Sequence, residues 1–203
     1  MPRHTITFSF LSPWHMGSGF GEGAHLDAIP VKTPAGLPYI PGRSVKGLFR
    51  EAVQLAEECG QIPQNTIQQN ATLKLFGSRD DSLSRYETEP GLLRFSSATL
   101  GNGMEAWAAE SDGKRQTNAE AVKQLFKPLA STRIDSQGLA DDKTLRKIEV
   151  AIPVELTAEV EYSGEKQEIE PLLALAASLI RQAGSHRHRG LGRVKVTIGE
   201  VAR

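Results

Sequence analysis

The segment "PGRSVKGLFREAVQLAEE", residues 41–58, predicts an amphipathic helix. Its apolar residues recur at intervals of three and four, which is the spacing of one helix face. These residues are Val45, Leu48, Phe49, Ala52, Leu55 and Ala56. Ser44 is placed to cap the first turn, and Pro41-Gly42 ends whatever precedes it. Other parts of the chain must supply the surface that this apolar face covers.

Strand patterns lie on both sides of this helix. Thr5 to Leu11 alternates polar and apolar residues, and further strands are predicted at 92–100, 150–162 and 193–198. A second helix, opened by Pro171, lies between the last two strands. Since each helix lies between strands, we expect an α+β fold, a modified ferredoxin-like (RRM-like) sandwich.

The stretch from 101 to 147 is polar, charged and without a regular apolar period. This pattern predicts an inserted thumb, or extended hairpin, rather than a second domain. We therefore expect one domain over residues 1–203.

Composition excludes several classes of protein. Apolar residues make up 39% of the chain and charged residues 24%, as in ordinary globular proteins. The one cysteine, Cys59, excludes an internal disulfide framework and a cysteine-rich zinc site. No apolar run is long enough to span a membrane and no signal peptide is evident, so we expect a cytoplasmic protein without a membrane partner.

Positive charge is concentrated in the closing stretch "GSHRHRGLGRVKV", residues 184–196, although the chain has no net charge. Arginine forks match phosphate geometry and glycines let a backbone approach a ligand, so this stretch predicts a polyanion site. A glycine-rich turn before an exposed basic strand is the alternative. The GxxxxGK[ST] and GxGxxG nucleotide patterns are absent, and His186 and His188 have no nearby carboxylate or cysteine with which to hold a metal.

The start of the first helix is a second candidate anion site. Free backbone amides and the helix dipole favour an anion there. Arg43, Lys46 and Arg50 flank that end, beside Ser44. A capped and solvated helix start explains the same residues equally well.

The loop "AHLDAIPVKT", residues 24–33, holds a lone carboxylate. Asp27 is the one acid between Glu22 and Glu51, and His25 lies close to it. A solitary loop aspartate usually caps a turn or is solvated. A catalytic role is the alternative.

Five stretches together resemble the RAMP superfamily of CRISPR-associated proteins. "PYIPGRSVKGLFRE" (38–51) resembles its IPGSSLKG-type motif, "HRHRGLGRVKV" (186–196) its closing glycine-rich loop, and "LRFSSATL" (93–100) its central strand. "TRIDSQGLADDKTLRKIEV" (132–150) is similar to the thumb of the backbone subunits of type III effector complexes. "HLDAIPVKT" (25–33) falls where those subunits carry their RNA-cleaving aspartate.

The resemblance implies a subunit that stacks with copies of itself and other effector subunits along a guide RNA (crRNA) and cleaves complementary target RNA. It implies that the thumb spreads the guide–target duplex, and that Asp27 is the catalytic residue and holds Mg²⁺ or Mn²⁺. It also implies an RNA-binding set at both glycine turns and the thumb. This set is His25, Arg43, Ser44, Lys46, Arg50, Arg133, His186, Arg187, His188 and Arg189.

The sequence departs from the family pattern at two places. Arg43 replaces the usual small residue after Pro-Gly, and His25-Leu26 replaces glycines before the aspartate. Three alternatives therefore stay open. They are a guide-processing endonuclease with His15 or His25 as general base, a non-cleaving scaffold subunit, and an unrelated ferredoxin-like binding module.

Overall fold

The computed structural model of the protein describes residues 1–23, 25–78, 88–110, 115–141 and 143–200. The strands in this part of the chain are β1 (Arg3–Phe10), β2 (Leu93–Phe95), β3 (Phe126–Ser131), β4 (Arg146–Ala151), β5 (Glu155–Tyr162) and β6 (Val194–Glu200). The α-helices are α1 (Gly42–Glu58), α2 (Ala71–Phe76), α3 (Asn102–Ala109), α4 (Arg115–Lys123) and α5 (Lys166–Leu179). A short 3-10 helix covers Arg187–Arg189.

Four strands form the main sheet in the order β2-β5-β1-β6, with every neighbouring pair antiparallel. The chain reaches β2 from β1 through α1 and reaches β6 from β5 through α5. This path places the first and third strands of the sheet at its centre, with α1 and the short α2 in the first crossover and α5 in the second. It is the ferredoxin-like arrangement, and it confirms the predicted α+β fold.

One face of the sheet forms the apolar core with the two crossover helices. Along β1 the buried residues alternate, so that Ile6, Phe8 and Phe10 face the helices. The predicted apolar face of α1 contributes Val45 and Phe49, each fully buried. Burial of side chains of this size stabilises the fold by about 1.5–3 kcal/mol each.

The start of α1 differs from the sequence-based expectation. The helix begins at Gly42, and Ser44 lies inside its first turn without a side-chain cap. The Ser44 N–H donates instead to the Pro41 carbonyl at 2.8 Å. A Cβ at Gly42 would lie 2.8 Å from the Phe95 carbonyl oxygen, so the segment after β2 is pressed against the helix start. The prediction of Ser44 as the N-cap is wrong.

α5 also begins earlier than predicted, at Lys166, and Pro171 lies inside it rather than opening it. Ile169 explains the extra turn, because its side chain is 1% exposed and belongs to the core cluster. The predicted strand 150–162 is divided between β4 and β5 around Pro153, which has no N–H to donate to a ladder.

The polar region 101–147 is inserted between β2 and β5, as predicted, and it ends in a hairpin. We call this β3–β4 hairpin, residues 126–151, the thumb; its strands pair in register from Phe126–Ala151 to Ser131–Arg146. The sequence did not predict α3 and α4, which precede the thumb. Their burial is slight, since α3 has no buried residue, and this explains the weak apolar period.

A polar cluster fastens α5 to the sheet at the end away from the loops that follow β1. His4 Nε2 lies 2.6 Å from Glu170 Oε1, and the Tyr162 hydroxyl donates to the same oxygen at 2.9 Å. Burial raises the pKa of Glu170, but the hydrogen bonds from Tyr162 and His4 and the charges nearby outweigh it. The pKa of Glu170 is therefore lowered from its usual value of 4.5.

We expect Glu170→Gln to lower the free energy of unfolding by about 1.5 kcal/mol at neutral pH, the lower end of the range for a hydrogen bond to a charged group. A carboxylate whose pKa is lowered in the folded state stabilises that state above its unfolded pKa and loses this contribution as pH falls through the folded value. The difference between the two proteins should thus shrink below pH 4.5. Urea denaturation at several pH values measures it.

Glu168→Gln is the matched control, because Glu168 is exposed on the same helix. An equal effect of both variants, or a difference that persists in acid, would show that Glu170 does not act through its charge.

Candidate nucleic-acid interface

The loops that carry the predicted site residues lie at one end of the main sheet. β1 finishes at this end, whereas β5 and β6 run in the opposite direction and begin there. α5 finishes at this end, because the chain leads from it to the start of β6. The base of the thumb joins them, since Trp14 and Ala151 exchange backbone hydrogen bonds at 2.8 and 3.0 Å.

The closing loop, residues 184–192, needs its glycines because it folds tightly against the protein's own backbone. A Cβ at Gly184 would lie 2.5 Å from the His15 carbonyl oxygen, and a Cβ at Gly192 would lie 2.0 Å from that of Ala183. Both residues have positive φ, at 94° and 73°. Their role is internal packing, which differs from the close approach to a ligand that the sequence suggested.

Between these glycines the chain forms an exposed basic turn. His186 adopts the left-handed conformation with φ 58°, and residues 187–189 follow as a 3-10 helix. The Arg189 N–H donates to the His186 carbonyl at 2.8 Å and closes the turn. His186, Arg187, His188 and Arg189 are all exposed, so their side chains are accessible to a ligand.

Cations of the closing loop and the thumb line a common groove, which we call the thumb groove. Arg133, Lys143, Arg146 and Arg189 border it, together with the hydroxyl side chains of Ser131, Thr132 and Thr144; its volume is about 570 Å³. Arg146 also borders a second groove with His186 to Arg189. The structure thus brings the predicted residue Arg133 next to the predicted closing loop.

Lys143 and Arg146 were missed by the sequence analysis. They lie in the thumb stretch already singled out, but only the hairpin register places them beside Arg189. Ser131 pairs with Arg146 across the hairpin, which brings both ends of the thumb tip to the groove.

The thumb tip is an ordered turn with apolar side chains on its outside. Asp135 Oδ1 accepts the N–H groups of Gln137 and Leu139 at 2.8 and 2.9 Å. Ile134 and Leu139 remain 57% and 63% exposed. The turn thus keeps its two apolar side chains on the surface of the thumb, where a partner can contact them.

The aspartate loop, residues 17–30, lies along β4 of the thumb. The Asp27 N–H donates to the Lys147 carbonyl at 2.7 Å, and Asp27 Oδ2 accepts the Lys147 N–H at 2.7 Å. Asp27 is nevertheless exposed, and its other carboxylate oxygen accepts no hydrogen bond from the described part of the chain. The Asp27 side chain is therefore bonded to the thumb and not to a turn of its own loop. Its partner, Lys147, is the residue that follows Arg146 of the groove.

The predicted residues on α1 lie apart from this groove. Arg43 is exposed and Ser44 and Lys46 are half-buried in the first turns of the helix. Arg50 borders a different groove with Glu57, on the flank of α1 that faces α2. Of the predicted set, Arg50 is therefore the residue whose surroundings least favour a phosphate.

α1 meets the closing loop through Glu51. Arg187 Nη1 lies 3.6 Å from Glu51 Oε2, and both side chains are largely exposed, at 43% and 66%. An exposed ion pair is worth at most about 1 kcal/mol. A phosphate can therefore take Arg187 from Glu51 at small cost.

The two histidines considered as the general base of a guide-processing endonuclease, His15 and His25, occupy different environments. His25 is exposed in the aspartate loop, whereas His15 is only 2% exposed. The His15 Nδ1–H donates to the Glu149 carbonyl at 2.6 Å, and its own carbonyl accepts the Ser185 N–H at 2.8 Å. Burial lowers the pKa of His15 despite the hydrogen bond to Glu149, so the ring is neutral at pH 7. It joins the closing loop to the thumb.

The open face of the main sheet is polar. RRM-type proteins stack RNA bases on aromatic side chains of this face. Here β1 and β5 present Thr5, Thr7, Thr157 and Glu159 on it, and the aromatic residues of the described β1, β5 and β6 are buried on the other face. The RRM mode of base stacking is therefore not available on this face.

In the part of the chain that the structure describes, no three His, Cys, Asp or Glu side chains come together as a metal site. A single aspartate still fits Mg²⁺ or Mn²⁺, because Mg²⁺ is commonly held by one or two carboxylates together with waters and substrate phosphates. Asp27, with its second oxygen accessible, is the residue that fits this role. None of the described helices is long and apolar enough to cross a membrane.

The fold and the clustered cations define a class: a ferredoxin-like protein with a candidate polyanion-binding end and a projecting thumb. The chain belongs to the RAMP superfamily, whose sequence profile matches residues 7–195. The resemblance found in the sequence is thereby confirmed.

Two solved structures share this fold over nearly the whole of both chains. One is a chain of the type III-B Cmr-beta bound to cognate target RNA, determined by cryo-EM; the identity is 11% and the TM-score 0.67, over 97% of this chain and 96% of that chain. The other is from the apo state of type III-B Cmr-beta, with the same identity and coverage and a TM-score of 0.64. Among curated proteins, none matches the chain.

Proposed function

We propose that the protein is a backbone subunit of a type III CRISPR effector, which binds guide RNA and cleaves complementary target RNA through Asp27. One observation carries the proposal: the exposed carboxylate of Asp27 is hydrogen-bonded to Lys147 of the thumb, the residue that follows Arg146 of the thumb groove. The fold shared with a complex bound to target RNA supports it. Copies of the chain and other effector subunits are its proposed partners.

The groove holds RNA through phosphates. Arg133, Lys143, Arg146 and Arg189 offer charge and forked donors to a backbone and do not distinguish one base from another. This suits a subunit that must accept guides of any sequence, because base pairing between guide and target supplies the specificity. Ile134 and Leu139 at the thumb tip would enter the duplex and spread it.

Cleavage would follow once the target strand is held with its 2′-oxygen, the adjacent phosphorus and the leaving 5′-oxygen in line. The 2′-oxygen of one nucleotide attacks the adjacent phosphorus, the bond from phosphorus to the 5′-oxygen breaks, and the 2′-hydroxyl proton is lost while the 5′-oxygen gains one. Asp27 is bonded to Lys147, the residue after Arg146 of the groove, and its carboxylate would accept that proton or hold Mg²⁺ or Mn²⁺. When bound, such an ion stabilises the negative charge that develops on the phosphate oxygens.

His15 is a weaker candidate for a general base than Asp27. A base must come within hydrogen-bond distance of the proton that it removes. The His15 ring is buried beneath the closing loop and bonded to Glu149, whereas Asp27 is exposed. A guide-processing role would therefore have to rest on the exposed His25.

The decisive experiment separates target cleavage from guide processing. The protein is assembled with guide RNA and its effector subunits and mixed with labelled complementary RNA and Mg²⁺; the protein alone is mixed with repeat RNA. We expect cuts in the target and none in the repeat. Cleavage of repeat RNA would instead identify a processing enzyme, binding of target without cleavage a scaffold, and binding of neither RNA an unrelated module.

We expect Arg146→Ala with Arg189→Ala to weaken guide RNA binding for guides of any sequence and to lower the dependence of affinity on salt. Fewer counterions are released on RNA binding when a phosphate contact is lost. The slope of log affinity against log salt should therefore fall by about one per residue. Filter binding at several salt concentrations measures both quantities. The pair Arg187→Ala with Arg189→Ala should act in the same direction but less strongly, since Arg187 already pairs with Glu51.

Lys195→Gln is the control, because Lys195 is an exposed cation of β6 outside the groove. An unchanged salt slope in the Arg146 and Arg189 variant would remove the thumb groove from the RNA-binding surface.

A further inference from the structure

Phe20 is an exposed aromatic side chain held on an ordered backbone. It is 73% exposed, between Gly19 and Gly21 in the aspartate loop. Its N–H donates to Ser18 Oγ at 3.1 Å, and its carbonyl accepts the Ile29 N–H at 3.0 Å. Both backbone groups are thus fixed, and the ring is presented to solvent rather than folded back.

The position of Phe20 relates it directly to Asp27. Gly17 pairs with Pro30 and Glu22 pairs with Leu26, so the register shifts by one within the loop and sets Gly21, the residue after Phe20, opposite Asp27. A Cβ at Gly21 would lie 2.9 Å from the Asp27 carbonyl oxygen, so the two strands of the loop are in close contact at this point. A group that rests on the Phe20 ring is therefore held by the same loop, one residue away from the pair that contains the residue proposed to cut.

The surroundings of the ring favour a nucleobase over a protein partner. Protein interfaces place aromatic anchors inside a wider apolar patch. Phe20 instead has Gly19, Gly21, Glu22 and Gly23 as its chain neighbours, and none of them adds an apolar side chain beside the ring. A single accessible ring is what a splayed base requires for stacking.

We propose that Phe20 is a base-stacking residue that positions a single-stranded nucleotide of the RNA beside Asp27. The site would take any base, purines best, because stacking uses the ring face and not the hydrogen-bonding edge. The inference rests on the proposed function in one respect, that this end of the molecule binds RNA. It assigns to Phe20 a positioning role and not a chemical one.

Binding of the full chain to single-stranded oligoadenylate tests the proposal, with an oligomer of abasic ribose phosphate of equal length as the second probe. The wild type should prefer oligoadenylate. Phe20→Ala and Phe20→Leu should each weaken oligoadenylate binding by about tenfold, while Phe20→Tyr should retain it, since stacking requires a planar ring. Binding to the abasic probe and the salt slope should not change, because no phosphate contact is lost.

Wild-type affinity of Phe20→Ala for oligoadenylate would overturn the proposal. So would retention by Phe20→Leu, since leucine keeps an apolar contact but cannot stack; loss of self-association in sedimentation would then assign Phe20 to a protein contact. If the assembled wild type binds target without cutting it while the Phe20 variants behave as expected, the cleavage function fails and the stacking site stands.

Discussion

Asp27→Asn is expected to reduce cleavage of target RNA by roughly a hundredfold or more, without loss of guide or target binding. The amide oxygen of asparagine can still accept the Lys147 N–H that Asp27 Oδ2 accepts at 2.7 Å, so the aspartate loop should keep its place on β4. What the variant loses is the negative charge that would hold a divalent cation or take a proton. Single-turnover cleavage by the assembled complex measures the rate.

Asp27→Ala adds a second loss, because it also removes the hydrogen bond to Lys147. We expect it to be as inactive as Asp27→Asn and to be less stable by about 1 kcal/mol. Glu22→Gln, which removes a charge from the same loop, should cut at the wild-type rate. Near-normal cleavage by Asp27→Asn would show that another subunit supplies the cutting residue.

Shortening the thumb should have the second largest effect. Replacing residues 132–145 by Asn-Gly joins Ser131 to Arg146, which are cross-strand partners that a two-residue hairpin loop can connect. Arg146 and the attachment of Asp27 to Lys147 remain, but the exposed apolar tip is gone. We expect cleavage to fall by about a hundredfold, because the target phosphate would no longer be brought into line.

Binding of single-stranded RNA should fall much less, through the loss of Arg133, Lys143 and two threonine hydroxyls of the groove. The protein should unfold cooperatively, because the removed residues are mostly exposed while Val150 and Ala151 of the thumb base stay buried. The pair Ile134→Ser and Leu139→Ser tests whether the apolar tip itself matters at full thumb length. Unaltered cleavage in the shortened protein would separate the thumb from catalysis, and loss of cooperative unfolding would place the tip in the core.

The fold was predictable because its signals are periodic and local. The alternation in β1 and the apolar face of α1 are set by burial against each other, and both appear directly in the order of residues. The errors at Ser44 and Pro171 have a common cause. Tertiary contacts at Gly42 and Ile169 extend the helices beyond the positions that capping preferences indicate.

The candidate site was predictable in part. Arg189 and Asp27 could be named from charge and spacing, but their relation to each other depends on long-range pairing. Lys147 holds Asp27 across 120 positions of the chain, and no local pattern reports such a contact. Arg146 was missed for the same reason. Arg50 was included for its nearness to the helix start, although Glu57, seven positions further on, lies on the same flank of the helix.

The loops of the interface are attached largely through main-chain atoms. Asp27 N–H meets the Lys147 carbonyl, Ser185 N–H meets the His15 carbonyl, and Trp14 exchanges bonds with Ala151. Every amino acid except proline supplies these groups, so the framework of the site imposes little on side-chain identity. Mutational drift can therefore replace most residues around the groove while the architecture is inherited intact. Selection would act on a small remainder: glycines at points of backbone contact, a few cations and one carboxylate.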